Sequence, residues 1–327
     1  MTPLHVTNGD IVADHLRRAG LAADALAWAD VLHEGPVPAG LDDAGLRRVR
    51  AEFLAGADGV DAEAVRRRFE DRDRALAAGR DGGYLLWFEA DLYDQLQLAQ
   101  ILAMLRDTGV PPDRVRLVCI GEYPGIAHFG GLGELEPGQF PGLLETAAAL
   151  TDGALDLGAA AWAALRAADP GGLAAIAASR SPELRFLGEA FDRLGREYPS
   201  TRDGLSLTER RLLAAMHDGS EPSAGAVFAR LGEREARPFL ADLFCFRILA
   251  RLAGGRVPLV ELDPPAGEVA AATRLRLTAA GGRVLRGEAD HVALNGIDRW
   301  VGGVHLHGQE ARWRWDEGTE SVTRAAA

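Results

Sequence analysis

The chain has 327 residues, a formal net charge of −12 and 36 basic residues, every one of them arginine. That length suits two or three domains, the acidic balance argues against a surface built for nucleic acid or anionic membrane, and the lack of lysine excludes Schiff-base chemistry, a P-loop lysine and a lysine general base. No apolar run approaches the roughly 20 residues of a membrane span, and the first residues lack the basic-then-apolar pattern of a secretory signal, so a cytoplasmic location is expected.

Leu4-His-Val-Thr reads as a short strand ending at Asn8-Gly9-Asp10, with Asp10 placed to cap a helix that runs to Ala19 and stops at Gly20. Residues 25–32 read as a second strand emptying into the loop His33-Glu34-Gly35-Pro36. Two helical patterns, 43–56 and 61–78, carry dense arginine and glutamate of the kind that decorates a solvated helix face. Residues 83–89 read as a buried strand, and 92–106 as a periodic helix with Asp91 as its N-cap and some of its glutamines turned to solvent or a partner. Residues 114–121 supply the fourth strand.

Alternating strands and helices predict an α/β domain over residues 1–125, Rossmann-like, with a mostly parallel sheet. An all-α middle region is expected over 126–200, broken at Asp152-Gly153, Asp169-Pro170 and Ser181-Pro182. From 201 to 327, Ser206 and Glu209 match a capping box. Helices near 222–232 and 235–251 and strands near 256–262 and 273–277 then follow in the order of a winged helix. A tail rich in tryptophan reads as loop plus hairpin. Cys119 and Cys245 each sit in an apolar run and read as buried thiols, neither a disulfide framework nor a zinc site.

Ligands of open α/β sheets lie beyond the carboxyl ends of the strands. Those ends carry Asn8, Gly9 and Asp10, then Asp30, His33 and Glu34, then Glu89 and Asp91, with Asp94 one turn into the next helix and His5 on the first strand. Singly, Asp10 and Asp91 read as caps, Asn8-Gly9 as a turn and His5 as a strand histidine. As a set they read as a site, with Asp10, Asp30, His33, Glu34 and Glu89 as acid–base or metal groups. His5, Asn8, Gly9, Asp91 and Asp94 would bind the ligand. Mg²⁺ is the hard cation such a set would take. In the tail, Arg299 is placed as an anion clamp closing over this pocket, with His305 beside it. No Gly-x-Gly-x-x-Gly, Walker, Gly-x-Ser-x-Gly or His-Glu-x-x-His pattern is present.

Three segments, His5-Val-Thr-Asn-Gly-Asp10, Trp28-Ala-Asp-Val-Leu-His-Glu-Gly-Pro-Val37 and Trp87-Phe-Glu-Ala-Asp-Leu-Tyr-Asp-Gln-Leu-Gln97, resemble the bacterial family called domain of unknown function 1835. The stretches beginning at Gly204 and Asn295 resemble the C-terminal region that accompanies it in close relatives. The resemblance covers about the first 125 residues and implies a domain identity with no established activity. The resemblance implies that relatives often carry His where Ala90 stands, and Ala there would weaken a metal site that relies on that histidine.

These readings converge on a protein that acts on a phosphorylated or nucleotide-like small molecule at the strand ends, as a hydrolase or group-transfer enzyme. The alternative is a non-enzymatic regulator or adaptor whose winged-helix-like end binds protein or DNA. Between Ser206 and Ala327 sixteen arginines balance sixteen carboxylates, so nucleic acid is not the expected partner. A protein partner or homo-oligomer is compatible with the apolar helix near 235–251.

Overall fold

The computed structural model describes residues 2–217, 221–265, 268–309 and 311–325. Contacts divide the chain into two compact units, the first comprising Met1–Phe191 and Trp300–Val304, the second Asp192–Arg299 and His305–Ala327. The expected boundaries at 125 and 200 are thereby replaced by one near 191. The helical stretch after residue 126 packs on the α/β sheet as part of the first unit, and the chain re-enters that unit at Trp300–Val304. Among the described residues, no helix is long and apolar enough to cross a membrane.

The first unit is built on β1 (Leu4–Thr7), α1 (Asp10–Arg18), β2 (Ala25–Ala27), α2 (Asp43–Asp58), α3 (Ala62–Ala78), β3 (Tyr84–Glu89), α4 (Leu92–Asp107) and β4 (Val115–Ile120). It continues with α5 (Phe140–Leu144), β5 (Ala148–Ala149), α6 (Asp152–Arg166) and α7 (Leu173–Ala177). The strand order is β2-β1-β3-β4-β5. The first four strands are parallel, and the two-residue β5 runs antiparallel to β4. All six residues of β3, Tyr-Leu-Leu-Trp-Phe-Glu, are buried, as a central strand covered on both faces requires. Val12 and Leu16 of α1 pack with Leu85, Trp87, Val118 and Phe140 in one core cluster.

Strand β2 is shorter than expected. It stops at Ala27 because the chain turns at Ala29, which takes a positive φ of 45°, and the loop from Trp28 onward is held by side chains. Helix α4 is buried over most of its circumference, so the glutamines expected on its outside point inward: Gln95, Gln97 and Gln100 are all buried. Gln100 Oε1 accepts the indole N–H of Trp28 at 2.8 Å.

The glycine pair of the tail has a packing reason. Gly303 N donates to Leu165 O at the end of α6 (2.8 Å), and a Cβ on Gly303 would fall 1.8 Å from the Arg166 carbonyl oxygen. Only glycines approach a helix terminus that closely. Their contact explains why Trp300–Val304 belongs to the first unit.

The second unit contains α9 (Leu207–Ala214), α10 (Ala224–Arg234), α11 (Asp242–Gly254), the antiparallel pair β6 (Val260–Asp263) and β7 (Arg274–Leu277), α12 (Ala279–Leu285) and α13 (His291–Asn295). The short α8 (Leu187–Gly195) precedes them at the boundary. Strand pairs β8 (Ile297–Val301) with β9 (Val304–Gly308), and β10 (Trp313–Asp316) with β11 (Ser321–Arg324), end the chain as two hairpins where loop plus one hairpin was expected. Leu212, Val227, Cys245, Ile248, Leu259 and Leu275 share its core. Helix α11 starts at Asp242 and not near 235, because Pro238 lacks the amide hydrogen a helix interior needs. The capping box is present, Ser206 accepting from Glu209 N and Glu209 from Ser206 N.

Candidate functional site

Strand β1 pairs with β2 on one side and β3 on the other, so the chain leaves β1 in one direction and returns on the opposite side. Such a reversal in strand order opens a crevice at the carboxyl ends of the two diverging strands, here β1 and β3. Asn8 follows β1, Glu89 ends β3, and Asp91 caps α4. The crevice is lined by what those three positions carry.

Glu89, Asp91 and Asp94 each present a carboxylate oxygen within 4.8 Å of the others, and all three are buried. Among the described residues this is the one such cluster. Glu89 faces into the crevice because side chains alternate along β3, which puts it on the face of Leu85 and Trp87. Asp91 accepts from Asp94 N at 2.9 Å, the N-cap bond expected of it. That bond fixes the first turn of α4 and turns Asp94 back, so that its Oδ2 accepts from Glu89 N at 2.6 Å. Asn8 Nδ2 bridges the set, donating to Glu89 Oε1 (3.0 Å) and Asp94 Oδ1 (3.1 Å). Its carbonyl accepts from the Tyr93 hydroxyl.

The electrostatics follow from burial with few donors. Desolvation, then the charge of Asp91, push the Glu89 carboxyl up to about 8, against the opposing hydrogen bonds from Leu132 N and Asn8. Asp94 is raised well above the carboxylate range by burial and then by Glu89 and Asp91. Glu89 and Asp94 therefore titrate as a pair. Three full negative charges at this spacing are not stable in a buried site, so the cluster holds a proton or a cation.

A glycine-rich loop closes over Glu89. Leu132 N donates to Glu89 Oε1 at 2.6 Å, and Gly131 adopts φ +140° with its Cα so near that a Cβ would fall 2.1 Å from Glu89 Oε2. Sequence reading passed over this loop, although Phe129-Gly-Gly-Leu-Gly-Glu134 was the signal that could have found it.

The remaining expected residues fall elsewhere. Asp10 is exposed in the first turn of α1, whose N-cap is Gly9, and it makes no cap bond. Asp30 is buried against Arg50, whose Nη2 lies 2.7 Å from its Oδ1. The same guanidinium donates to the carbonyls of Glu34 and Val31, so Asp30, Arg50 and the 30–36 loop form a structural knot and not an acid–base group. Glu34 is buried in that loop, outside the carboxylate cluster. His33 is the residue of the loop that approaches the crevice, its ring edge-on to Tyr93 at 6.0 Å. His5 lies mid-strand, accepts the Trp87 indole N–H on Nδ1 (3.2 Å), and is pushed down by burial, so it is a neutral core histidine.

Arg299 belongs to the second unit and is committed there. Its Nη2 donates to Glu197 Oε2 at 2.7 Å with both side chains buried. Glu197 also binds Arg193 at 2.7 Å and accepts from the Thr208 hydroxyl. Burial alone would raise this carboxyl, but Arg193 and Arg299 outweigh it and hold it at about 2. A buried, paired guanidinium is no free anion clamp. His305 pairs with Asp298 at 2.7 Å.

The three carboxylates suit a hard cation: oxygens on opposite sides of Ca²⁺ stand roughly 5 Å apart and those around Mg²⁺ roughly 4 Å, which the observed spacing meets with small adjustment. Ala90 contributes no donor to this set, which is all-oxygen without a histidine. Compared with protein-family models and with curated proteins, the chain matches none.

Proposed function

We propose that the first unit binds a phosphorylated or nucleotide-like small molecule through a divalent cation held by Glu89, Asp91 and Asp94, and acts on it as a hydrolase or group-transfer enzyme in the cytoplasm. One observation carries this reading: three buried carboxylates within 4.8 Å of one another at the β1/β3 reversal. Bound there, the cation supplies charge neutralisation and a Lewis acid for phosphoryl oxygens. Asn8 orients the carboxylates, the Gly131–Leu132 loop shields Glu89 from water, and Glu89, whose pKa is raised without the cation, gives up its proton as the cation binds. The resemblance to the domain of unknown function 1835 family, resting on three segments around this crevice, is compatible with the reading and supplies no activity.

The test is calorimetric titration with Mn²⁺ and Ca²⁺, followed by cation-dependent phosphate release from nucleoside mono- and diphosphates. One-to-one binding that D91N and D94N weaken at least tenfold is expected. Binding unchanged by both substitutions ends the reading.

A regulator is the second reading, favoured by the order α9, α10, α11 and the β6–β7 hairpin, that of a winged helix. Fluorescence anisotropy with duplex DNA over a salt series tests it: tight binding with a steep salt slope supports it, and the charge balance of this segment argues for a protein partner if it holds.

A further inference from the structure

A separate small cleft opens between α2, α3, α4 and α6, lined by Arg47, Arg50, Arg72 and Arg166 against Asp30, Asp43 and Asp73. Gln100 lines it too, six residues beyond Asp94 along α4, so the cleft lies roughly 9 Å down that helix from the carboxylate cluster. Its cations are unequally used. Arg50 is consumed by Asp30 and three carbonyls. Arg72 is held by Asp73 and sandwiched between the rings of Trp28 (3.9 Å) and Phe69 (4.5 Å).

Arg47 and Arg166 keep donors in reserve. Arg47 gives Nη1 to Asp73 at 2.8 Å, while its Nε is buried and makes no hydrogen bond among the described residues. Arg166 spends Nε and Nη2 on the carbonyls of Pro38 and Leu41, and its Nη1 makes no hydrogen bond among the described residues. With Asp73 shared by two arginines, four guanidinium groups face three carboxylates, and the lining carries one net positive charge in a protein whose whole charge is −12. A buried guanidinium N–H without an acceptor is costly, and an oxyanion supplies the acceptor. Phe69, Met104 and Trp162 add an apolar wall.

We propose that this cleft is a second ligand site, which takes a small oxyanion, phosphate or a phosphate monoester, between Arg47 and Arg166. The aromatic wall accommodates the organic part of a monoester, and the paired guanidinium groups take the oxygens. Asp43, at the first position of α2, is the residue that opposes the anion.

Calorimetric titration of the full chain with inorganic phosphate and with phenyl phosphate, in buffer containing EDTA, tests this independently of the cation site. Saturable one-to-one binding is expected for both probes, tighter for phenyl phosphate. R47Q/R166Q should weaken it at least tenfold. D43N should tighten it about threefold, the worth of one charge a few ångströms away in a wet cleft. A change in that direction cannot come from a poorly folded variant. Heats that do not saturate by about 10 mM, or binding indifferent to both variants, overturn the proposal.

Discussion

Replacing Glu89 with Gln tests whether the carboxylate cluster is held together by a proton. The folded-state pKa is about 8 against 4.5 for the free side chain. A carboxyl raised on folding binds more protons in the native state than in the unfolded one. Its stabilising share is complete below about pH 4.5 and is lost as pH climbs to about 8. At about 1.36 kcal/mol per unit, the loss across that window approaches 5 kcal/mol. Gln keeps an oxygen for Asn8 and Leu132 and cannot ionise, so E89Q escapes the loss. Urea unfolding from pH 4.5 to 9 in EDTA should show the two proteins nearly equal at the acid end. E89Q should pull ahead by several kcal/mol at the alkaline end. Saturating Mn²⁺ should abolish the wild-type decline, because a cation takes the proton's place. Parallel stability curves for the two proteins in EDTA would refute the reasoning, since they would mean that Glu89 is ionised throughout.

Other substitutions give outcomes of different sign and place. Gly131→Ala, which forces a side chain into a φ of +140° and toward Glu89, should cost roughly 2–4 kcal/mol, read as a lowered Tm. Asp30→Asn leaves Arg50 buried without its counter-charge and should cost roughly 3–5 kcal/mol while cation affinity, by calorimetry, stays within a factor of two. Glu197→Gln takes from Arg299 the buried carboxylate it pairs with, while Arg193 keeps Glu235, and should destabilise by roughly 2–4 kcal/mol, again with cation affinity unmoved. Cation affinity itself should rise between pH 6 and 8 by up to tenfold per unit, with proton release measurable in a weakly buffered titration, and flatten in E89Q.

Much of the α/β architecture was legible because it rests on local signals: the buried run at β3, the Asp91 cap and the stop of α1 before Gly20 fall where the pattern puts them. The site was legible only in part. Asn8, Glu89, Asp91 and Asp94 converge, whereas Asp10 and Asp30, which look equivalent in sequence, do not. The difference is set by partners far along the chain. Arg50, twenty residues on, neutralises Asp30, and the Gly131–Leu132 loop, more than forty residues on, desolvates Glu89. Arg299 was misplaced for the same reason, its partner Glu197 lying 102 positions away.

Position at a strand end therefore does not by itself bring a carboxylate into the cluster. A carboxylate that meets a buried arginine is satisfied and inert; one that meets only amides and other carboxylates retains an unmet demand for positive charge. Asp30 and Glu89 are nearly equally buried, at 1% and 6% exposure, so burial does not separate them. Their donors do, a full guanidinium for one and neutral N–H groups for the other. Neutral donors lower a carboxylate's energy without cancelling its charge. Glu89 and Asp94 accordingly keep a demand for positive charge that Asp30 does not, which is why the proposed cation is placed with them and not with Asp30.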